Sequence, residues 1–295
     1  MSPPDTAAGP LPHPTRTATA PGFAAGPPRA PSPGRRVGAM VLRHWYLLRG
    51  SWPRALEMAY WPTVQLLIWG FLSQFLATNS SWVAQAAGVL VASVLLWDIL
   101  ARSQIGMSVT FLEEMWSRNL GNLFVSPLRP QEWVASLIVM ALIRTLIGLS
   151  LPVLIAIPLF GFNLFVMIGL PLAAFFLNLV LTGVIVGTLT SGLLLRHGMG
   201  AESFAWMAVF ILAPLSAVYY PVSSLPDWIE PLSRVLPPTY VFEGMRGVVF
   251  GQGLDWTNLA MALGLNLLYG GLAALYFLRA FRYARTVGKL LQTGE

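Results

Sequence analysis

Apolar residues dominate this chain in long blocks, and polar ones gather in a few short breaks between them. Six blocks have the length of a membrane-crossing helix, about 20 apolar residues. They fall near residues 56–78, 83–101, 134–160, 171–195, 203–221 and 256–278. Ahead of them, Val37, Val41, Trp45, Leu48 and Trp52 recur at helical spacing, with Arg43 and Arg49 off the stripe. That pattern predicts an amphipathic helix lying in the membrane interface, Trp at headgroup level and Arg toward anionic lipid. Pro53 separates it from the first block. Residues 1–36 show no hydrophobic period and are rich in Pro, Ala, Gly and Thr, which predicts a disordered tail. Residues 37–290 form the membrane domain and 291–295 a short C-terminal tail. The fold class read from this pattern is an all-α integral membrane protein with six transmembrane helices.

Two breaks are unusual. Ala101 to Trp133 holds Arg102, Glu113, Glu114, Arg118, Arg129 and Glu132 between apolar runs. Glu114 and Arg118 stand i,i+4 in the favourable order, so a polar helix with that ion pair is expected. The segment closes on Ser126-Pro127-Leu128-Arg129-Pro130, where the prolines impose an extended exit. The second break, Pro221 to Asp255, is too apolar for a free loop. Two short helices joined at Pro237-Pro238 and dipping back into the membrane satisfy its pattern. The first would use Trp228, Ile229 and Leu232, the second Tyr240, Phe242, Val248 and Phe250. Non-helical backbone at that depth has to be covered by protein, and Glu243 with Arg246 at i,i+3 would pair.

A few polar or small residues lie inside the blocks. Gly183, Gly187 and Ser191 repeat every four residues, a spacing that lets a second helix approach closely. Arg144, Asn178 and Asn266 sit mid-span, where a polar group faces a partner helix or a wet route. For Arg144 the alternatives are snorkelling toward the cytoplasm or a pair with Asp98 or Glu132. Asp98 and Arg102 make an i,i+4 pair at the inner end of the second block.

Composition agrees with the pattern. The chain is 56% hydrophobic and 10% charged, with a mean hydropathy of +0.66, against about 25% charged residues in soluble domains. Eleven Trp suit a protein with two interfaces to anchor. The net charge of +6 does not point to nucleic acid, because the basic residues flank apolar blocks. With the N-terminus in the cytoplasm, every basic residue except Arg144, Arg234 and Arg246 falls on the cytoplasmic side, and the C-terminus does too. With no cysteine, thiolate metal sites and cysteine nucleophiles are excluded. The three histidines, His13, His44 and His197, form no metal or acid–base spacing. An intramembrane enzyme is therefore disfavoured, and no metal site is expected. Lys289, the only lysine, is followed by Leu290, and Tyr283 occupies the place of a P-loop's first glycine. This chain therefore has no phosphate-cradling loop of that kind.

Two segments, in order, resemble the membrane subunits of ABC-2 type exporters. Glu113-Glu114 through Asn119, Ser126, Pro127, Leu128 and Arg129 is similar to that family's first cytoplasmic loop. Tyr220-Pro221-Val222, Pro226-Asp227-Trp228, Pro237-Pro238-Thr239-Tyr240 and Glu243 to Arg246 are similar to its proline-rich outer segment. The resemblance implies a homodimeric or paired permease in the bacterial cytoplasmic (inner) membrane. Loop 111–126 would dock on a separate ATPase subunit that carries ATP and Mg, with no cofactor in this chain. Segment 222–250 would form re-entrant helices closing the outer end. Many relatives carry Ser-Gly where this chain has Ser216-Ala217, so the bend there is an open point. The apolar blocks favour an amphipathic or lipid-like cargo, a drug or a lipid conjugate. A polysaccharide exporter and an ion-coupled secondary carrier are the alternatives.

Overall fold

The computed structural model describes residues 31–78 and 81–288, and these residues are helical with no strand. Eleven α-helices follow one another: α1 (Pro33–Arg49), α2 (Trp52–Ala77), α3 (Ser81–Trp116), α4 (Leu120–Val125), α5 (Pro130–Phe160), α6 (Leu164–Ile168), α7 (Pro171–His197), α8 (Glu202–Leu215), α9 (Glu230–Arg234), α10 (Pro237–Val249) and α11 (Trp256–Thr286). Most of the expected tail, and residues 291–295, lie outside the described residues. Pro33 to Arg36 do not belong to a tail, because α1 already begins at Pro33. Proline at a helix start is preorganised for the first turn and lacks only an amide that would have no partner there. The same device opens α2, α5, α7 and α10.

Four helical stretches among the described residues are long and apolar enough to cross a membrane. They are Gly88–Trp116, Pro130–Phe160, Pro171–Leu215 and Trp256–Thr286. The blocks at 134–160, 171–195 and 256–278 fall inside them. The block at 203–221 is cut short: α8 has 14 residues, about 21 Å at 1.5 Å per residue, against an apolar thickness of about 30 Å. The block at 56–78 coincides with α2, whose 26 residues are not among the four.

The polar break at Ala101 begins later than its composition predicts. Helix α3 runs without interruption to Trp116 and buries Ser103, Gln104, Ser108 and Thr110 completely. Ser103 and Thr110 donate to the carbonyls one turn back, at 2.8 and 2.7 Å. Small hydroxyls that bond to their own helix can sit in an apolar setting at little cost, which is why composition alone misplaces the boundary. Asp98 and Arg102 are therefore mid-helix, not at its inner end, and Arg102 is not a loop charge. Their ion pair forms at 3.0 Å.

Helix α3 is the axis of the bundle. Helix α5 runs antiparallel to it, with Phe111 against Trp133 (ring centres 5.1 Å apart) and Ser103 against Thr145 (3.2 Å). Helix α7 runs parallel to it at very close range. A Cβ on Gly183 would lie 2.6 Å from the Leu100 carbonyl oxygen and from the Ser103 Cβ; one on Gly187 would lie 2.9 Å from the Met107 Cβ. Ser191, fully buried, donates to the Gly187 carbonyl at 2.8 Å. Helix α11 packs on the other side of α7, where Gly192 makes room for the Tyr276 ring. The bundle thus has two ends. Glu113, Glu114 and α4 mark one; α10, touching Trp97 through Phe242 and Phe175 beside Gly244, marks the other.

Candidate functional site

Three carboxylates organise the α4 end. Glu114, 1% exposed, takes an ion pair from Arg43, an Asn119 Nδ2 hydrogen bond at 2.8 Å, and the Nε2 of buried His44 at 3.1 Å. The His44 Nδ1 stands 2.8 Å from the Met40 carbonyl oxygen. Glu113 meets Arg144 at 3.1 Å and Arg54 at 3.4 Å. Glu132 receives the Arg36 Nε at 2.9 Å and the Arg129 backbone N–H at 3.0 Å, which caps α5. The hydrogen bond to Glu132 holds the Arg36 guanidinium above its ordinary pKa, outweighing what burial takes away. Helix α1 is thereby clamped at both ends, to α5 through Arg36 and to α3 through Arg43 and His44.

This arrangement corrects two expectations. Glu114 does not pair with Arg118. Arg118 is exposed and occupies the left-handed region (φ 54°) just past α3. The Asn119 N–H bonds the Glu114 carbonyl and the Arg118 N–H bonds the Met115 carbonyl, both at 3.0 Å. Such a helix stop is usually made with glycine at the left-handed position, and its geometry swings the Arg118 side chain away from the i,i+4 row. Arg43, expected to face lipid, instead meets Glu114. Helix α1 buries Met40, His44 and Leu48 and leaves Leu42, Trp45, Tyr46 and Leu47 exposed.

What the loop presents outward follows from what it buries. Leu120 and Leu123 of α4 point inward. Trp116 (48%), Val125 (89%), Arg118, Asn122, Ser126, Pro127 and Arg129 are exposed, and Leu128 is half-buried. An apolar and basic surface therefore sits on a rim held rigidly from beneath by ion pairs.

At the opposite end, Glu243 accepts from the Val222 N–H and from Arg246, each at 2.8 Å. Arg246 also donates to the Val218 carbonyl at 3.3 Å. Pro237 and Pro238 are buried at the start of α10, and the Tyr240 hydroxyl donates to the Arg234 carbonyl at 2.8 Å. Pro221, Pro226 and Trp228 lie on the outside, or half so, with Trp228 78% exposed. The buried face of α10 runs through Val241, Phe242 and Met245; Phe250, expected on a helix face, lies past its end and is 45% exposed. The bend at Ser216-Ala217 forms without glycine: Ala217 is fully buried with φ 48°.

The mid-span polar residues all find partners inside the protein. Arg144 snorkels to Glu113, neither to Asp98 nor to Glu132. Asn266 donates to the Asn178 backbone and side-chain oxygens at 3.1 Å and accepts from Thr182 at 2.8 Å, so α7 and α11 are bolted together. Sequence reasoning missed Arg36, Arg43, His44 and Arg54 as partners of Glu132, Glu114 and Glu113. The available signal was partial: the segment before the first apolar block is basic, but the one after the second carries three arginines beside its three glutamates, so net charge did not mark the pairs.

The ABC-2 type transporter family matches residues 37–250. The chain belongs to this family: it is a membrane permease of an ABC transporter, an integral multi-pass protein and a transport subunit rather than a catalytic one, in a family that implies an ATPase partner. No curated protein matches it closely.

Proposed function

We propose that this permease exports an amphipathic or lipid-like cargo, a drug or lipid conjugate, from the cytoplasm, and that its ATPase docks on the exposed Trp116–Pro127 surface. The observation that carries this reading is the division of labour within the loop. Glu113 and Glu114 are spent on anchoring, which leaves Arg118, Asn122 and Val125 to meet a partner. Force on α4 then passes into the core through buried Leu120 and Leu123, and the three carboxylates tie α3 and α5 to α1 and to Arg54. ATP and Mg are bound by the partner. Six spans follow if α2, α3, α5, α7, α8 and α11 each cross. The shortness of α8 then leaves residues 222–250 to complete the outer half as re-entrant helices. Two such permeases, identical or paired, would enclose the route, with both termini in the cytoplasm of a bacterial inner membrane. An ion-coupled carrier has less support, because Arg144, Asn178 and Asn266 are all engaged by neighbouring helices.

The test is affinity purification of the tagged protein in mild detergent, with mass spectrometry and an ATPase assay on the eluate. A P-loop subunit is expected with the wild type and is expected to be lost with Arg118→Glu/Val125→Asp. Arg234→Glu, at the opposite end, retains it. Retention by the loop variant would sink the docking assignment. Ion-driven transport by a single-chain eluate would replace it with a carrier.

A further inference from the structure

Where α7 and α11 end, Arg196, Tyr276, Arg279, Ala280 and Tyr283 line a hollow of about 320 Å3 that no role above uses. Tyr276, Arg279, Ala280 and Tyr283 follow one another at i, i+3, i+4 and i+7, one face of α11. Arg196 comes from the last turn of α7, and its guanidinium stands 5.8 Å from the centre of the Tyr283 ring. Buried Ala280 forms the floor. Gly192, one turn before Arg196, seats the Tyr276 ring: a Cβ there would lie 2.8 Å from it. The ring is therefore held in place by the helix packing.

A basic residue in a last helical turn offsets the helix dipole, and that accounts for Arg196 alone. The bias of basic residues toward the cytoplasmic flank of an apolar block accounts for the charge of Arg279, seven residues before the end of α11, but not for its meeting Arg196 and two tyrosines on one hollow. None of the described lining residues is acidic. Two guanidiniums and two phenols present N–H and O–H donors to an anion with several oxygens, and the planar guanidinium fork matches a phosphate. Both helices belong to stretches long and apolar enough to cross a membrane. Arg279 lies about 10 Å before the end of α11 at 1.5 Å per residue, near the end of an apolar stretch. Phe277, next to this face, touches Trp133 at 6.4 Å between ring centres, so the hollow lies at the same end of the bundle as the carboxylate anchor.

We propose that this hollow is a binding site for an anionic phosphate, presented by a lipid headgroup or by a free phosphoryl compound. Arg196 and Arg279 grip the phosphate oxygens while Tyr276 and Tyr283 donate from the flanks. An occupied site ties the ends of α7 and α11 together through the ligand.

The full chain in detergent is titrated with short-chain phosphatidylglycerol and, separately, phosphatidylcholine, and bound lipid is counted by native mass spectrometry. Preference for phosphatidylglycerol is expected. Arg196→Gln/Arg279→Gln should lower its affinity roughly 30-fold, from the usual contribution of a basic residue near an anionic headgroup. Arg282→Gln/Arg285→Gln removes the same charge from the same helix but off this face, and should change it less than about threefold if the site is local. Unaltered thermal midpoints in both variants exclude a folding effect. Displacement of the lipid by millimolar glycerol phosphate identifies a site that reads phosphate in either form. Lipid binding without displacement identifies a headgroup site. Absence of lipid preference in the wild type, or equal losses in the two double variants, would overturn the proposal.

Discussion

Replacing Gly183 with alanine adds one methyl group where α7 leans on α3. The new Cβ would fall 2.6 Å from the Leu100 carbonyl oxygen and 2.6 Å from the Ser103 Cβ, and 3.0 Å from the Gln104 amide nitrogen. Two of these atoms are backbone and the third is bonded directly to it, so no side-chain rotation relieves the clash. The helices have to separate by several tenths of an ångström, and dispersion contacts along the Gly183–Ser191 seam weaken with them. Overpacking of this kind costs about 2 kcal/mol, roughly a thirtyfold fall in the folding constant. In α11, Gly264 and Gly271 have nothing within 4 Å of a notional Cβ. Alanine there should be neutral or favourable by up to about 1 kcal/mol, since it is the better helix former. The assay is equilibrium unfolding in mixed micelles with increasing SDS, following Trp fluorescence. Gly183→Ala should shift the midpoint down while Gly264→Ala holds or raises it. Gly183→Ala/Gly187→Ala should lose less than the sum of the single changes, because one displacement accommodates both. If Gly183→Ala unfolds with Gly264→Ala, the close approach of α3 and α7 does not exist.

Three further outcomes follow from particular side chains. Glu114→Ala leaves Arg43 and buried His44 without their acceptor and should cost about 2–3 kcal/mol, seen as a lower unfolding midpoint; an unchanged midpoint would remove the anchor. Arg118→Gly relieves a left-handed residue and should stabilise by about 0.5–1 kcal/mol, yet weaken ATPase co-purification. Its thermal midpoint and pull-down yield should therefore move in opposite directions, and a matching fall in both would contradict the docking role. Asn266→Ala removes the donor to the Asn178 oxygens and one of the two acceptors of the Thr182 hydroxyl between α7 and α11 and should destabilise by about 1 kcal/mol. Altered cargo selectivity at unchanged stability would instead place Asn266 on the route.

Much of the architecture was legible along the chain. Helices α5, α7 and α11 stand where continuous apolar runs predict them, because burying apolar length is a local fact; the break before α2 falls at Gly50–Ser51, and Pro53, expected to end the preceding helix, instead lies in the first turn of α2. The Glu243–Arg246 and Asp98–Arg102 pairs were legible for the same reason, as neighbours on one helix face. The failures have a common cause as well. Glu114 and Arg118 satisfy the local rule, but the left-handed stop at Arg118 removes one partner and α1 supplies better ones. The continuation of α3 past Ala101 was hidden because Ser103 and Thr110 count as polar in composition while spending their hydroxyls on their own helix.

The sequence by itself determined that this is a helical membrane protein without a P-loop of its own, since both follow from residue type and spacing. Only the tertiary structure decided which carboxylate meets which arginine, that Glu114 is an anchor beneath the rim, and that Gly183 and Gly187 face α3 while Gly192 faces α11. Partners separated by some seventy to a hundred residues, such as Arg43 with Glu114 and Arg36 with Glu132, are chosen by how helices cross. A crossing depends on every side chain along the contact at once, so no local window of sequence contains it.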